Sequence, residues 1–248
     1  MNDLEAYLVN NGLVLAFLFV GITLFIANWL SRRFTGKKIP GVAIAILAAL
    51  VLAYFGGEKG VANYPLFAGL AILGGSMFRD FTIVSTAMGV RFSELRATGL
   101  AGIISLLTGV TVTFFLGGLI GYAMGYTDAK SFTTIGAGAC TYIVGPITGA
   151  AIGASSELIA ISVAAGVMKT IFVTIITPIV AKRIGLDNPM TAMIFGGMIG
   201  TTSGVAAGLA ATDPKLVPYG AMTSTFYTGI GVLLCPSVFY VLVLAVLG

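Results

Sequence analysis

The sequence predicts an all-α integral membrane protein: about six transmembrane helices plus two re-entrant glycine-rich hairpins arranged as an inverted repeat. Three observations predict it. Of 248 residues only 13 are Lys or Arg and 9 are Asp or Glu, so 9% are charged where a soluble domain carries about 25%, and mean hydropathy is +1.05. Uncharged runs long enough to cross about 30 Å of hydrocarbon, ~20 residues of helix, recur along the chain. Glycine reaches 34 residues, roughly twice its usual share, and two uncharged segments are broken by clusters of it.

The first crossing runs from Leu8 to Leu30 and reads as an uncleaved helix, because residues 1–30 lack a basic leader and a convincing cleavage site. The second runs from Ile39 to Gly57. Arg79 and Asp80 divide the stretch from Val61 to Val90, which places a third crossing at 61–78 and an interfacial helix at 79–99. Phe81, Val84, Met88, Phe92 and Leu95 fall at helical spacing as its apolar stripe. A fourth crossing spans Leu100 to Tyr122, and two more run from Leu158 to Val180 and from about Val217 to Leu247. Together these define a scaffold at 1–130 and a transport core at 131–248.

Short-loop Lys and Arg set orientation. Arg32, Arg33, Lys37 and Lys38, then Arg91 and Arg96, then Lys182 and Arg183 form one set of loops, which belongs in the cytoplasm. The amino terminus, with Asp3 and Glu5, is then outside.

Residues 131–155 (SFTTIGAGACTYIVGPITGAAIGAS) and 191–212 (TAMIFGGMIGTTSGVAAGLAAT) are uncharged but interrupted at mid-length. Glycine costs about 1 kcal/mol and proline about 3 in a helix interior, so these strings suit irregular backbone, which survives at membrane depth only inside protein or beside a water-filled cavity. Each is expected to enter and leave on one side. The simpler alternative is close helix packing through small residues four apart, such as Gly149/Gly153; that explains the spacing but not GPITG or GTTSG. The stretch Thr148–Gly153 aligns with Ser203–Gly208, Ser155-Ser156-Glu157 corresponds to Thr212-Asp213-Pro214 as helix caps, and Phe172 falls opposite Phe226. Each repeat, 131–185 and 191–248, is thus one hairpin plus one crossing, and the second sits upside down relative to the first.

The tips carry hydroxyls and bare backbone. Thr141, Gly145, Thr148 and Gly149 in the first, and Thr201, Thr202, Ser203 and Gly204 in the second, are candidate substrate ligands, since helix N-termini at such breaks suit carboxylates. Freed carbonyls and hydroxyls suit a small hard cation, with Gly138, Thr148, Gly200 and Thr201 as candidate sodium ligands. Lys169 lies near the centre of its span, where a charge costs ~3 kcal/mol or more and usually faces a cavity or partner. It is a candidate counter-charge for an anion or a stand-in cation, and the plainer reading pairs it with backbone carbonyls. Adjacent Arg79 and Asp80 read first as a helix boundary.

The same residues exclude other functions. With no histidine there is no imidazole base and no Ser-His dyad, so catalysis is not expected. The basic residues lie in short pairs rather than on one face, against nucleic-acid binding. Cys140 and Cys235 sit in apolar runs as small buried hydrophobes. Two rivals to a carrier are a sodium-translocating membrane subunit of a decarboxylase, which would want an intramembrane acid where only Asp80 is placed, and a purely structural subunit, which would not need two broken segments.

The strings GAGACTYIVGPITGAAIGASSE, GGMIGTTSG and the opening NDLEAYLVNNGLVLAFLFVGITLFIANWLSRR resemble the larger (M) subunit of the two-component bacterial malonate:sodium symporters, over essentially the whole chain. The resemblance implies malonate as substrate, sodium as coupling ion with no other cofactor, a smaller membrane (L) subunit as partner, and the bacterial cytoplasmic membrane as location. It supplies no residue roles. The hairpins also resemble, in style of fold only, those of sodium-coupled carboxylate carriers such as the 2-hydroxycarboxylate family.

Overall fold

The computed structural model describes residues 9–34, 41–55, 61, 63–73 and 92–248. Every regular element among them is helical. Four described helices are long and apolar enough to cross a membrane: Gly12–Phe34, Gly99–Ala123, Glu157–Val180 and Pro214–Leu247. The chain divides into two compact units, Met1–Ser85 and Thr86–Gly248.

In the first unit, α1 (Gly12–Phe34) ends on Arg32 and Arg33, cations that complement the negative end of the helix dipole. It packs against α2 (Gly41–Tyr54) and α3 (Gly69–Leu73). Gly12 and Gly69 make the α1–α3 crossing possible, because a Cβ on Gly69 would enter the Gly12 carbonyl. Phe19 and Phe67 stack at 5.0 Å beside it.

Of the six expected crossings, four meet the length and hydropathy of a span among the described residues. The second expected crossing appears as a 14-residue helix, about 21 Å long. The third, 61–78, is no single helix over its described part. Tyr64 is extended (φ −82°, ψ 131°), a 3₁₀ turn covers Pro65–Phe67, and α3 has 5 residues. Pro65 is the reason: its ring pushes the preceding residue out of the helical region. Residues 79–91 of the expected interfacial helix, with Arg79, Asp80, Phe81, Val84 and Met88, lie outside the described residues.

The second unit opens with α4 (Phe92–Ala123), kinked at Gly99 (φ 43°, ψ −129°), a backbone only glycine adopts readily. The expected boundary between an outer helix and a crossing falls at that residue. Then come α5 (Ala129–Cys140), α6 (Val144–Ile152), α7 (Ser156–Val180), α8 (Pro189–Ile199), α9 (Thr202–Ala210), α10 (Val217–Leu234) and α11 (Tyr240–Leu247). A π turn at Cys235–Phe239 joins the last two, where Pro236 has no N–H to continue the α pattern. The caps fall where the residue types place them. Ser155 accepts from Leu158 N, Asp213 accepts from Lys215 N, and Asn188 forms a capping box with Thr191 ahead of Pro189.

Both glycine-broken segments turn back on themselves. In the first, Gly145 lies against Gly138 and Gly149 against Thr134: a Cβ on Gly145 would be 2.8 Å from Gly138 Cα, and one on Gly149 3.0 Å from Thr134 Cγ2. One partner number rises as the other falls, so α5 and α6 are antiparallel about Thr141. In the second, Gly220 lies between Ala192 on α8 and both Val205 and Leu209 on α9, since a Cβ on it would be 3.0 Å from Val205 Cγ1, 3.2 Å from Ala192 O and closer still to Leu209, so the chain reverses at Gly200–Thr201. At about 18 Å, α5 is the longest of the four arms, and none could span a bilayer alone.

At the base of the first hairpin Asp128 caps α5, accepting from Ser131 N at 3.0 Å and from the Ser131 hydroxyl. Burial pulls its carboxyl upward, but these hydrogen bonds outweigh that and hold it below the ordinary 3.8. A carboxylate with a lowered folded pKa contributes stability above its unfolded pKa and loses it as pH falls through the folded value. Asp128→Ala is therefore expected to cost about 1 kcal/mol at pH 7, with the difference from wild type vanishing as pH falls below about 3.8; thermal unfolding across pH measures it.

Candidate functional site

The long helix α7 runs past both hairpins and brings their tips together. The first packs along its amino-terminal half: Gly149 meets Ile159, Gly145 meets Ser162, and Gly166 meets Tyr142 N. The second packs along its carboxy-terminal half, where Gly208 meets Thr177 and Gly204 meets Val173 and the Thr170 carbonyl. The bases thus lie toward opposite ends of α7 and the tips converge near Gly166–Thr170. The incoming arms use the same device. A Cβ on Gly138 would enter the Ser162 carbonyl, and one on Gly196 would enter that of Gly220.

Three contacts tie the tips at this level. Lys169 Nζ donates to the Cys140 carbonyl at 3.0 Å, at the carbonyl end of α5, and lies 5.1 Å from the Tyr227 ring centroid. Thr170 Oγ1 and Thr201 Oγ1 are 2.7 Å apart. Tyr227, fully buried, presses its ring on Gly200 and donates its hydroxyl to Gly109 O at 3.3 Å. Gly200 sits at φ 80°. It turns the chain where a side chain would strike the ring.

The two half-helix N-termini differ. Thr141 (φ −155°, ψ 154°) closes the first, its hydroxyl accepting from Ile143 N and Val144 N at 3.2 and 3.1 Å. Thr201 offers α9 no side-chain cap, because its hydroxyl is engaged with Thr170. The first-turn N–H groups of α9 have no partner within their own helix and carry its positive end.

Of the residues singled out from sequence, the structure brings Gly138, Thr141, Gly145, Lys169, Gly200, Thr201 and Gly204 to this junction, all but Lys169 buried. Thr202 is half-buried and Ser203 is exposed. Thr148 and Gly149 are buried but stand about two turns down α6 from Thr141, so the four candidate sodium ligands do not form one cluster. Cys140 and Cys235 are both fully buried in one apolar core with Val110, Phe114, Val144 and Tyr227. Sequence reasoning missed Tyr227 and Thr170. An aromatic in an apolar run reads as lining, and nothing in composition tells one threonine of α7 from another.

Two further features surround the junction. A groove of about 1060 Å³ runs outside α7, lined by apolar residues of α4, α7 and α8, and reaches Ala139, Lys169 and Ile199 beside the tips. Inside the first hairpin, the hydroxyls of Thr133, Thr134 and Thr148 are buried without a hydrogen-bond partner. Leaving such a group unpaired costs ~1–3 kcal/mol.

Apolar helices, paired reversals and a junction of uncapped backbone, hydroxyls and a lysine suit the membrane-embedded part of a secondary transporter. The comparison with known families agrees. The family model described as malonate/sodium symporter MadM subunit matches residues 4–247, so the chain belongs to that family and is a multi-pass membrane subunit of a malonate/sodium symporter. Neither a curated protein nor a solved structure matches it.

Proposed function

We propose that this chain, with a smaller membrane subunit, imports malonate together with sodium across the bacterial cytoplasmic membrane. The hairpins act as re-entrant loops inserted from opposite faces, the first from outside and the second from the cytoplasm, with the amino terminus outside. The observation that carries this reading is the convergence of both tips on Gly166–Thr170, near the middle of a helix long enough to cross. Two inverted halves meeting at mid-depth is the plan that alternating access requires. Family membership gives no support to the decarboxylase or structural readings, and Asp80 lies outside the described residues.

In this account one malonate carboxylate sits on the uncapped N-terminus of α9 at Thr201–Gly204. The other faces Lys169 beside Thr141 and Gly145, with Thr148 and Gly149 behind them on the same arm. The lysine spends one of its three donors on the Cys140 carbonyl and turns others to the substrate. Sodium takes its oxygens within the same hairpins, and the candidate ligands fall in two alternative places, Gly138, Gly200 and Thr201 near the tips and Thr148 within the first hairpin. Binding anion and cation together offsets their charges where water is scarce, which gives the two a reason to travel together. The apolar groove along α7 is then a lateral face for lipid or the partner subunit.

Proteoliposomes holding both subunits are expected to accumulate labelled malonate when an inward sodium gradient is imposed, and not with potassium in its place. Accumulation indifferent to sodium would refute the coupling.

A further inference from the structure

We propose that the first hairpin holds one small, largely dehydrated monovalent cation between its arms, about two helical turns from the tip, with the hydroxyls of Thr133, Thr134 and Thr148 among its ligands. The inference rests on the symport reading above and deepens it by locating the ion.

The orphaned hydroxyls are confined to one place. Among the described residues, every other buried Ser or Thr has a hydrogen-bond partner, for example Ser162 with the Ile159 carbonyl, Thr174 with that of Thr170, and Ser224 with that of Gly220. Only Thr133, Thr134 and Thr148 lack one, and each is fully buried.

The antiparallel register puts the three at one level. Thr134 and Thr148 are each seven residues from Thr141, and Thr134 touches the site of a Cβ on Gly149, the neighbour of Thr148. Thr133 lies one turn before Ala137, and Thr148 one turn after Val144. Ala137 and Val144 both belong to the core shared with Cys235 and Tyr227. Thr133 and Thr148 therefore stand on the side facing α10. The π turn at Cys235–Phe239 packs against both arms.

Size and chemistry select the occupant. A Cβ on Gly145 would be 2.8 Å from Gly138 Cα, and one on Gly149 3.0 Å from Thr134 Cγ2, an approach of the arms too close for a dicarboxylate. Neutral hydroxyl and carbonyl oxygens are hard ligands suited to an alkali cation at membrane depth. An ion there ties the two arms together and so steadies the Cys140 carbonyl and the Thr141 cap at the tip. Sodium binding would thus favour malonate binding, and malonate would favour sodium by the same factor.

The test uses the purified two-subunit complex with sodium chloride as probe and potassium or choline chloride as controls, followed by thermal unfolding and by uptake. Wild type is expected to show a midpoint that rises with sodium and not with potassium. Thr133→Val and Thr148→Val keep the side-chain shape while removing an unpaired hydroxyl. They are expected to hold or raise the midpoint without sodium, to lose most of the sodium-dependent rise, and to need at least about tenfold more sodium for half-maximal uptake. Thr133→Ser and Thr148→Ser, which keep the hydroxyl, are expected to keep the sodium response. An unchanged sodium response in both valine variants overturns the site, as does its loss in the serine variants, since the methyl rather than the oxygen would then matter. If wild type itself ignores sodium in both assays, the symport reading fails instead. A response lost in Thr201→Val but kept in both valine variants moves the ion to the tips.

Discussion

Gly138→Val is expected to abolish accumulation of the folded complex in the membrane, while Gly229→Ala leaves it intact. A Cβ on Gly138 would sit 2.6 Å from Ser162 Cα and closer still to its carbonyl oxygen. Both atoms belong to the backbone of a 25-residue helix that cannot step aside. Overpacking against yielding side chains costs about 1–3 kcal/mol; here the obstacle is main chain, and the arm must leave α7 or the helix must break. The expected loss exceeds ~4 kcal/mol, a large part of the stability of an ordinary domain. Gly229 has nothing within 4 Å of the corresponding position, so alanine there gains helix propensity of about 0.5–1 kcal/mol. Fluorescence-detected size exclusion of both variants, with the partner co-expressed, measures the difference.

The second large effect is expected at Lys169. Replacing it by Met removes the cation that holds the Cys140 carbonyl and, in the proposed function, faces the substrate, so malonate uptake should fall by about 30- to 1000-fold, the range for a desolvated charge contact worth ~2–4 kcal/mol. Stability should move the other way. A lysine at the centre of a crossing helix is itself costly by ~3 kcal/mol, and methionine fills the same slot beside Tyr227 without that cost. Loss of transport with an equal or higher unfolding midpoint is the expected signature. Uptake within about twofold of wild type would make Lys169 a structural cap on α5.

How much of this could be read from the residues is clear from particular cases. The long crossings, the breaks near Thr141 and Gly200, the cap at Ser155 and the placing of Lys169 were legible because each rests on a local rule: run length, glycine and proline in a helix, a hydroxyl before a first turn, a charge in an apolar run. Over 61–78 composition alone does not show the effect of one residue, Pro65, ahead of which Tyr64 is extended and the helix is interrupted within the described part. Tyr227 and Thr170 were invisible for another reason. Their roles depend on which residue faces which across the two hairpins, and that register exists only once Gly138, Gly145 and Gly166 have brought three helices into backbone contact. The unpaired Thr133, Thr134 and Thr148 are of the same kind, since a hydroxyl is orphaned by its surroundings and not by its neighbours in sequence.

The central claim, that two broken segments enter from opposite faces and meet at mid-depth, is tested most directly by labelling their bases from each side of the membrane. In a background with Cys140 and Cys235 replaced by alanine, single cysteines at the exposed positions Lys130 and Lys182 mark the first and second hairpin. A membrane-impermeant maleimide is expected to label Lys130→Cys in right-side-out vesicles and Lys182→Cys in inside-out vesicles. Labelling of both from the same face would contradict the account.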